Sequence, residues 1–444
     1  MKAIESDLVV CSADKVVPDA TVLVEGGRVA GVCANAELAG LVSSGKLAAG
    51  DVIDRRGCLV MPGLVNTHMH QYGVLSHGIP PAQGVTGFES FLLDYWWPRI
   101  EDRVRKSEVL TTSLATMAEM LHSGTTSFCD ILEAPLCEGD TLIAQGEQIE
   151  RAGMRAIVSL ESSERVSKAN GEACLRQNAE SAQHFSARGT GLVRGAICTH
   201  TTFTCPRGMI EHAKELACEN GCLYQFHLCE SRYELEWAMS HLGCTPLSVY
   251  NSAGALGPDT LAAQCVKLGE GDLDLLASSG TRAAHLPISN CEVGGGFAPV
   301  PSMLQKDVCL GLGTDGYVND MFQVMRATFL VHKAACETTT VMDSKQVFSL
   351  ATEKGAQAMG LSKVGRIESG WAADLVAYDM APQPTPINEG NVFDQLVVFG
   401  RASSVRDVWV AGKRLMQDGR LLTLDEERNA AQLRQCADTF WRGL

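Results

Sequence analysis

The sequence predicts an α/β fold: a (β/α)8 barrel inserted into a small β-sandwich-like domain built from both chain ends. Three observations carry this. Between residues 56 and 364, short apolar strands alternate with helical stretches, the pattern of a parallel sheet covered by helices. Eight such strands can be counted, the number that closes the barrel. The segments before and after read as β structure, so the barrel interrupts a domain whose halves are far apart in sequence.

In chain order, residues 1–55 carry short strands at Asp7–Val10, Thr21–Val24, Arg28–Val32 and Val52–Asp54, with Gly26-Gly27 as a hairpin turn. The barrel strands are Leu64–His70, Thr125–Cys129, Arg155–Ser159, Gly195–Cys198, Cys222–His227, Leu261–Cys265, Arg282–His285 and Val308–Leu312. After Gly365 the chain returns to strands at Ala373–Tyr378 and Val405–Val410, and Gly412-Lys413 makes a turn. This gives a second half of the β-domain over 365–423 and a charged terminal helix over 424–444.

The composition is that of an ordinary globular protein, with 45% hydrophobic and 20% charged residues. A formal net charge of −15 argues against a nucleic-acid or anionic-membrane partner, since either favours a basic face. The 17 cysteines are scattered without paired short spacings. No signal peptide opens the chain and no apolar run of about 20 residues occurs. A reducing cytoplasm is therefore the expected compartment.

The chemistry is expected around Leu59-Val60-Met61-Pro62-Gly63-Leu64-Val65-Asn66-Thr67-His68-Met69-His70. Histidines spaced i, i+2 on a strand point to one face. On an inward face of a barrel, both rings aim at one point near the strand's C-terminal end, where such barrels keep their chemistry, and two converging imidazoles suggest a metal. His227-Leu228-Cys229-Glu230 ends another strand with an imidazole and, three residues on, a carboxylate. That pair suits a metal ligand and a proton shuttle. Gly313-Thr314-Asp315-Gly316 tops the last strand, and Asp315 there completes a site of three imidazoles and one carboxylate.

With these residues in hand, the chain resembles the amidohydrolase superfamily, in its branch of ring deaminases and chlorohydrolases. The resemblance spans nearly the whole chain. Besides the stretches above, it includes His200-Thr201-Thr202-Phe203-Thr204-Cys205-Pro206, His285-Leu286-Pro287-Ile288-Ser289-Asn290 and Gly365-Arg366-Ile367-Glu368-Ser369-Gly370-Trp371-Ala372-Ala373-Asp374-Leu375-Val376. Ala298-Pro299-Val300-Pro301 and residues 261–315 are similar to the methylthioadenosine/S-adenosylhomocysteine deaminases. Tyr95-Trp96-Trp97, Glu161-Ser162-Ser163-Glu164-Arg165 and Gly316-Tyr317-Val318-Asn319-Asp320-Met321-Phe322 look more like SsnA-type aminohydrolases, and that subgroup is placed first.

The resemblance implies a TIM barrel holding one divalent metal, zinc before iron, on His68, His70, His227 and Asp315. It implies Glu230 as the carboxylate that moves protons, His200 as a substrate contact and His285 as a further catalytic histidine. It also implies a homo-oligomer, a dimer or larger. The implied activity is hydrolytic deamination of an amino-substituted purine, pterin, pyrimidine or triazine. Gln264 stands where the family carries a histidine that contacts the water or the tetrahedral intermediate. Glutamine can hydrogen-bond there, but it carries neither a proton nor a charge at neutral pH. Two alternatives therefore stay open: the same metal site with another leaving group (chloride, an alkylamine, or cyclic amide opening), and a catalytically silent relative.

Substrate contacts are expected from the loops. Tyr72 and His77 follow the first strand, and the 78–98 segment brings Phe88, Phe91, Tyr95, Trp96 and Trp97 over the site as an aromatic lid for a flat ring. Glu161 and Arg165 are placed at the mouth. His122, His184, His212, His241 and His332 fall in helical stretches and are read as structural or surface residues.

Overall fold

The computed structural model describes residues 1–79 and 84–442. Strands from both chain ends form one sheet. β1 (Lys2–Ser12), β2 (Lys15–Glu25), β3 (Arg28–Ala34) and β4 (Val52–Pro62) come from the N-terminal end. β14 (Leu375–Asp379), β15 (Val405–Val410), β16 (Lys413–Gln417) and β17 (Arg420–Leu421) come from the C-terminal end. Their order is β17-β16-β15-β14-β4-β1-β2-β3.

The sequence suggests one small β-sandwich-like domain built from both chain ends, and the strands of both ends do join, in one continuous eight-stranded sheet. The reason is β4, which is much longer than the expected Val52–Asp54. It pairs parallel to β1 through Val52–Val60 and antiparallel to β14 through Cys58–Pro62. One layer of apolar side chains, including Ile4, Val22, Val60, Leu375 and Trp409, unites both halves.

Between them lie two all-parallel sheets. One runs β5 (Leu64–Met69), β6 (Thr125–Leu132), β7 (Arg155–Leu160) and β8 (Val193–Gly195). The other runs β9 (Ile197–Thr199), β10 (Tyr224–Leu228), β11 (Thr260–Gln264), β12 (Arg282–His285) and β13 (Leu310–Leu312). β8 and β9 are separated only by Ala196, whose N–H donates to Val158 O at 3.0 Å, while the N–H of Ile197 donates to Leu223 O at 3.0 Å. The chain thus changes partner at one residue, joining the sheets at that seam. At the other seam Met69 bridges Asp315 in parallel fashion, and the N–H groups of Thr314 and Asp315 both donate to His68 O at 3.1 Å.

Period-two alternation sorts the strand side chains. Val65, Cys129, Ile157, Leu261, Ala263 and Ala284 share one cluster, and their neighbours Phe128, Val158, Phe226 and Ala262 belong to the larger core packed with the helices. No helix among the described residues is long and apolar enough to cross a membrane.

Candidate active site

His68 and His70 lie on and just beyond β5, with His70 the residue after Met69. Asn66 fixes the strand's end by accepting from the backbone N–H of Thr314 at 3.1 Å and donating to Thr314 Oγ1 at 2.7 Å. The chain of β13 crosses there so closely that a Cβ on Gly313 would stand 2.6 Å from His68 O. Glycine is required at that crossing.

His70 Nδ1 lies 2.8 Å from the carbonyl of Ile131. A carbonyl only accepts, so Nδ1 carries the proton and Nε2 keeps its lone pair. That lone pair meets His68 Nε2 at 3.2 Å and Asp315 Oδ1 at 3.1 Å. His227, on β10, completes a group with His68 and His70 whose donor atoms lie within 4.8 Å of one another. Lone pairs and a carboxylate converging on one buried point repel unless a cation lies between them, and this donor set suits zinc. Burial, reinforced by His70, lowers His68 to about 3, and burial beside His68 holds His227 well below its usual value, so both rings are neutral donors. Burial acts to raise Asp315, but the cluster of His70, His68 and His227 around it outweighs this and holds the carboxyl well below its usual range.

Three strand ends depart from ordinary backbone. Cys229, Gln264, Cys265 and Asp315 have φ of 50°, 77°, 52° and 61°, in the left-handed region that non-glycine residues seldom occupy. Such conformations cluster where side chains must be aimed. The turn at Cys229 precedes Glu230, which lines the cavity. Burial beside Asp315 and Glu133 pushes the Glu230 carboxyl well above the usual range.

Gln264 donates from Nε2 to Asp315 Oδ2 at 2.7 Å, and its Oε1 accepts from Asn290 Nδ2. Asp315 Oδ1, the oxygen that faces His70, accepts the Gly316 N–H at 2.8 Å. His200 lies 2.8 Å through Nδ1 from Thr204 Oγ1, and the ring lines the cavity.

The cavity holds about 320 Å³, at the small end of ligand sites. Ile79, Phe88, Phe91, Leu92, Tyr95 and Trp96 line it from the segment after β5, and His77 and Tyr317 join them. Phe91 and Trp96 stack with ring centroids 5.4 Å apart. The part of the expected lid at residues 80–83 lies outside the described residues.

Four expected contacts sit differently from their sequence reading. Trp97 does not line the cavity; its ring packs 6.0 Å from that of His200 and carries the Arg165 guanidinium at 4.8 Å. Arg165 is buried, because it holds Glu101 at 2.7 Å and Asp102 at 2.8 Å. Glu161 is buried behind the wall, not at the mouth, with Oε2 at 3.4 Å from His227 Nδ1 and 3.9 Å from His200 Nε2. Together Glu161, His200 and His227 form a second group of potential metal donors. His285 turns to His332, Nε2 to Nε2 at 2.9 Å, and lines no part of the cavity. Burial keeps both rings below the usual histidine range.

Sequence reasoning missed Glu133 and Glu101, which both line the cavity. Tyr72 donates to Glu133 Oε2, and Glu133 Oε1 lies 3.7 Å from His227 Nε2. The available signal was the apolar pair Ile131-Leu132 after Asp130. Asp130 looked like a strand end, but it is buried within β6 because the Gln71 N–H and Gln145 Nε2 satisfy its carboxylate at 2.8 and 2.7 Å. The strand therefore runs three residues further and delivers Glu133 to the site.

Comparison with known proteins agrees with this geometry. The amidohydrolase family model matches residues 59–415. A 5'-deoxyadenosine deaminase of Methanosarcina mazei is 32% identical over 398 residues, covering 88% of this chain and 89% of that protein. A 5-methylthioadenosine/S-adenosylhomocysteine deaminase of Syntrophobacter fumaroxidans is 32% identical over 418 residues, covering 91% of this chain and 92% of the relative. The second of these bears the name of the subgroup the sequence reading had placed behind the SsnA-type proteins. A zinc-bound adenosine deaminase from Xanthomonas campestris shares the fold with a TM-score of 0.86 at 25% identity, over 100% of this chain and 98% of that one. A match of this extent to the family model, together with relatives over 30% identical along most of the chain, decides the family: the chain belongs to the amidohydrolases.

Proposed function

We propose that this amidohydrolase is a mononuclear metal-dependent deaminase of an amino-substituted nitrogen heterocycle, working at the C-terminal ends of a closed (β/α)8 barrel. The observation that carries the reading is Glu230, a half-buried carboxyl on the cavity wall beside the donor cluster of His68, His70, His227 and Asp315. A divalent ion on those four residues, zinc before iron, would supply Lewis-acid activation of water, bringing its pKa to about 7. The names of the relatives make an adenine-type ring the first class to test.

In the proposed reaction Glu230 accepts a proton from water and passes it to the ring nitrogen beside the amino-bearing carbon. The water oxygen bonds to that carbon, and the C=N π pair moves to the nitrogen. Glu230 then takes the proton of the newly added hydroxyl and delivers it to the exocyclic amine. The carbon–nitrogen bond breaks with its electron pair on nitrogen, and ammonia leaves an oxo-substituted ring. A carboxyl held above the usual range is suited to giving up that proton near neutral pH.

Asp315 has both oxygens committed, which leaves proton traffic to Glu230. Gln264 acts through Asp315 and is a positioning residue. His200 presents its ring to the substrate, and Trp96 contributes to an aromatic wall.

The test is ammonia release by zinc-loaded protein across aminopurines, adenosine-type nucleosides, aminopterins, aminopyrimidines and aminotriazines. Turnover of one class is expected. Metal-loaded protein that releases no ammonia from any class, but frees chloride or an alkylamine from substituted rings, would replace this reading with the second one that Gln264 keeps open.

A further inference from the structure

The helix Glu426–Trp441 has no part in the deaminase reading, yet its last turn holds the cavity wall from outside. Leu433, Cys436, Ala437, Phe440 and Trp441 fall on one face at helical spacing and pack on the main core. The helix lies against its neighbour Lys106–His122 and runs the opposite way. Glu426 meets His122, the last residue of that neighbour, at 2.9 Å, and Phe440 meets Arg103, just before the neighbour begins.

That course brings its end to both places where the outer wall of the cavity leaves the core. The wall residues Phe88, Phe91, Leu92, Tyr95 and Trp96 lie between Ile79 and Glu101, which line the cavity as well. On the first side Trp441 donates its indole N–H to Leu75 O at 2.7 Å, and its ring edge lies over Gly78, 3.7 Å from where a Cβ would stand. The short helical turn Gln71–Ser76 ends there, where carbonyls lack intrahelical partners, and the indole supplies one. On the second side Arg103 donates to Phe440 O and lays its guanidinium over that ring, 4.5 Å from the centroid. Two adjacent residues of one helix turn thus tie both stems of the wall. Neither is among the described residues that line the cavity. Between Leu75 and Gly78, His77 donates from Nε2 to Gly316 O at 3.0 Å. The first stem is therefore held between the indole outside and the residue after Asp315 inside.

We propose that Phe440 and Trp441 are positioning residues of the active site: they fix both stems of the aromatic wall and so set how tightly the ring is held, without touching it. The kinetic half of this rests on the deaminase reading. Without the ties the wall occupies a range of positions, and a ring binds only to those that grip it. Apparent affinity then falls with the share of molecules in the gripping position.

The experiment compares Trp441→Phe, Phe440→Leu and a control, Glu426→Gln, which frees the far end of the helix from His122. Amide hydrogen exchange is followed on the zinc-loaded protein, and KM and kcat are measured for ammonia release from the best substrate. Trp441→Phe removes one hydrogen bond and keeps a ring in place, so exchange at residues 76–79 is expected to quicken by about three- to tenfold. KM should rise by about two- to tenfold with kcat held, the pattern of lost binding rather than lost chemistry. Phe440→Leu should act in the same direction, with the faster exchange at residues 96–103. Glu426→Gln should leave both stems and KM unchanged.

An unchanged KM in both wall variants would overturn the proposal, because the pair would then be a structural staple only. A KM that rises without faster exchange in either stem would overturn it as well, since the effect would not pass through the wall. So would Glu426→Gln raising KM as much as Trp441→Phe does, because any loosening of the helix would then act alike. If no compound releases ammonia, the deaminase reading fails by itself, and exchange at residues 76–79 then decides whether the clamp holds the wall.

Discussion

The strands of this protein carry buried charge at both ends, and the two ends are finished differently. At the base, Arg155 opens β7 and grips Asp374, with Nε to Oδ2 at 2.8 Å and one terminal nitrogen to Oδ1 at 3.2 Å. The Ala411 N–H adds a bond to Oδ1 at 2.7 Å, and Gly191 O accepts from Arg155 at 3.0 Å. At the top, His68 Nδ1, His227 Nδ1 and Glu161 Oε2 are buried without a hydrogen-bond partner. Charge that is saturated by the protein's own groups ties the parallel strands to the outer sheet. Bonding capacity left open at the top lies against the cavity. Buried polar atoms are normally satisfied, and these three stand beside the donor cluster.

If the top end does chemistry, Glu230→Gln should show the largest effect: a loss of about 10²–10⁴-fold in kcat, the range for a general acid–base. Metal content, measured by elemental analysis, should stay unchanged. Unaltered turnover would remove Glu230 from the proton path.

If the base is purely structural, Arg155→Met should strand the Asp374 charge and destabilise the fold by about 3–5 kcal/mol. Denaturant unfolding would read this, while the protein that remains folded keeps its kcat. A drop in kcat without lost stability would erase the contrast between the ends.

Gln264→Ala tests the amide brace on Asp315. Loss of such an orienting contact is expected to cost about 10–100-fold in activity or metal affinity, and Asn290→Ala should cost less because Gln264 still reaches Asp315. Equal activity in both variants would mean that the brace orients nothing.

The smallest effect concerns acid stability and the His285–His332 pair. Burial lowers His332 to about 4 and holds His285 well below its usual value. With folded-state pKa values below those of the unfolded chain, the unfolded state takes up protons first as pH falls below about 6.5. Stability is thus intact above that pH and is lost as pH falls towards 4. Each such proton contributes up to about 1.4 kcal/mol per pH unit. His332→Gln should flatten this limb in unfolding measurements made between pH 6.5 and 4, and an unchanged slope would place the acid lability elsewhere.

What the sequence made legible follows from the reach of local pattern. The i, i+2 spacing of His68 and His70 and the i, i+3 spacing of His227 and Glu230 place those side chains once the strands are found. Asp315 is visible as a carboxylate between glycines at a strand end, and Gly313 has a steric reason to be there. Glu133 was hidden by a buried aspartate that imitates a strand end. Glu101 was hidden because its environment is made by Arg165, which lies far along the chain. The left-handed backbone of Gln264, which sets its bond to Asp315, leaves no mark in residue type. His332 reads as one more helical histidine until β12 brings His285 against it. Each of these depends on contacts between distant segments, which periodicity does not encode.

The most direct test of the central claim is a titration of metal-free protein with zinc, following bound metal and ammonia release together on the best substrate of the panel. Activity should rise in proportion to bound zinc and level off at one ion per chain, and His68→Ala should neither bind zinc tightly nor turn over. Ammonia release at the full rate from protein shown to be free of metal would contradict the account.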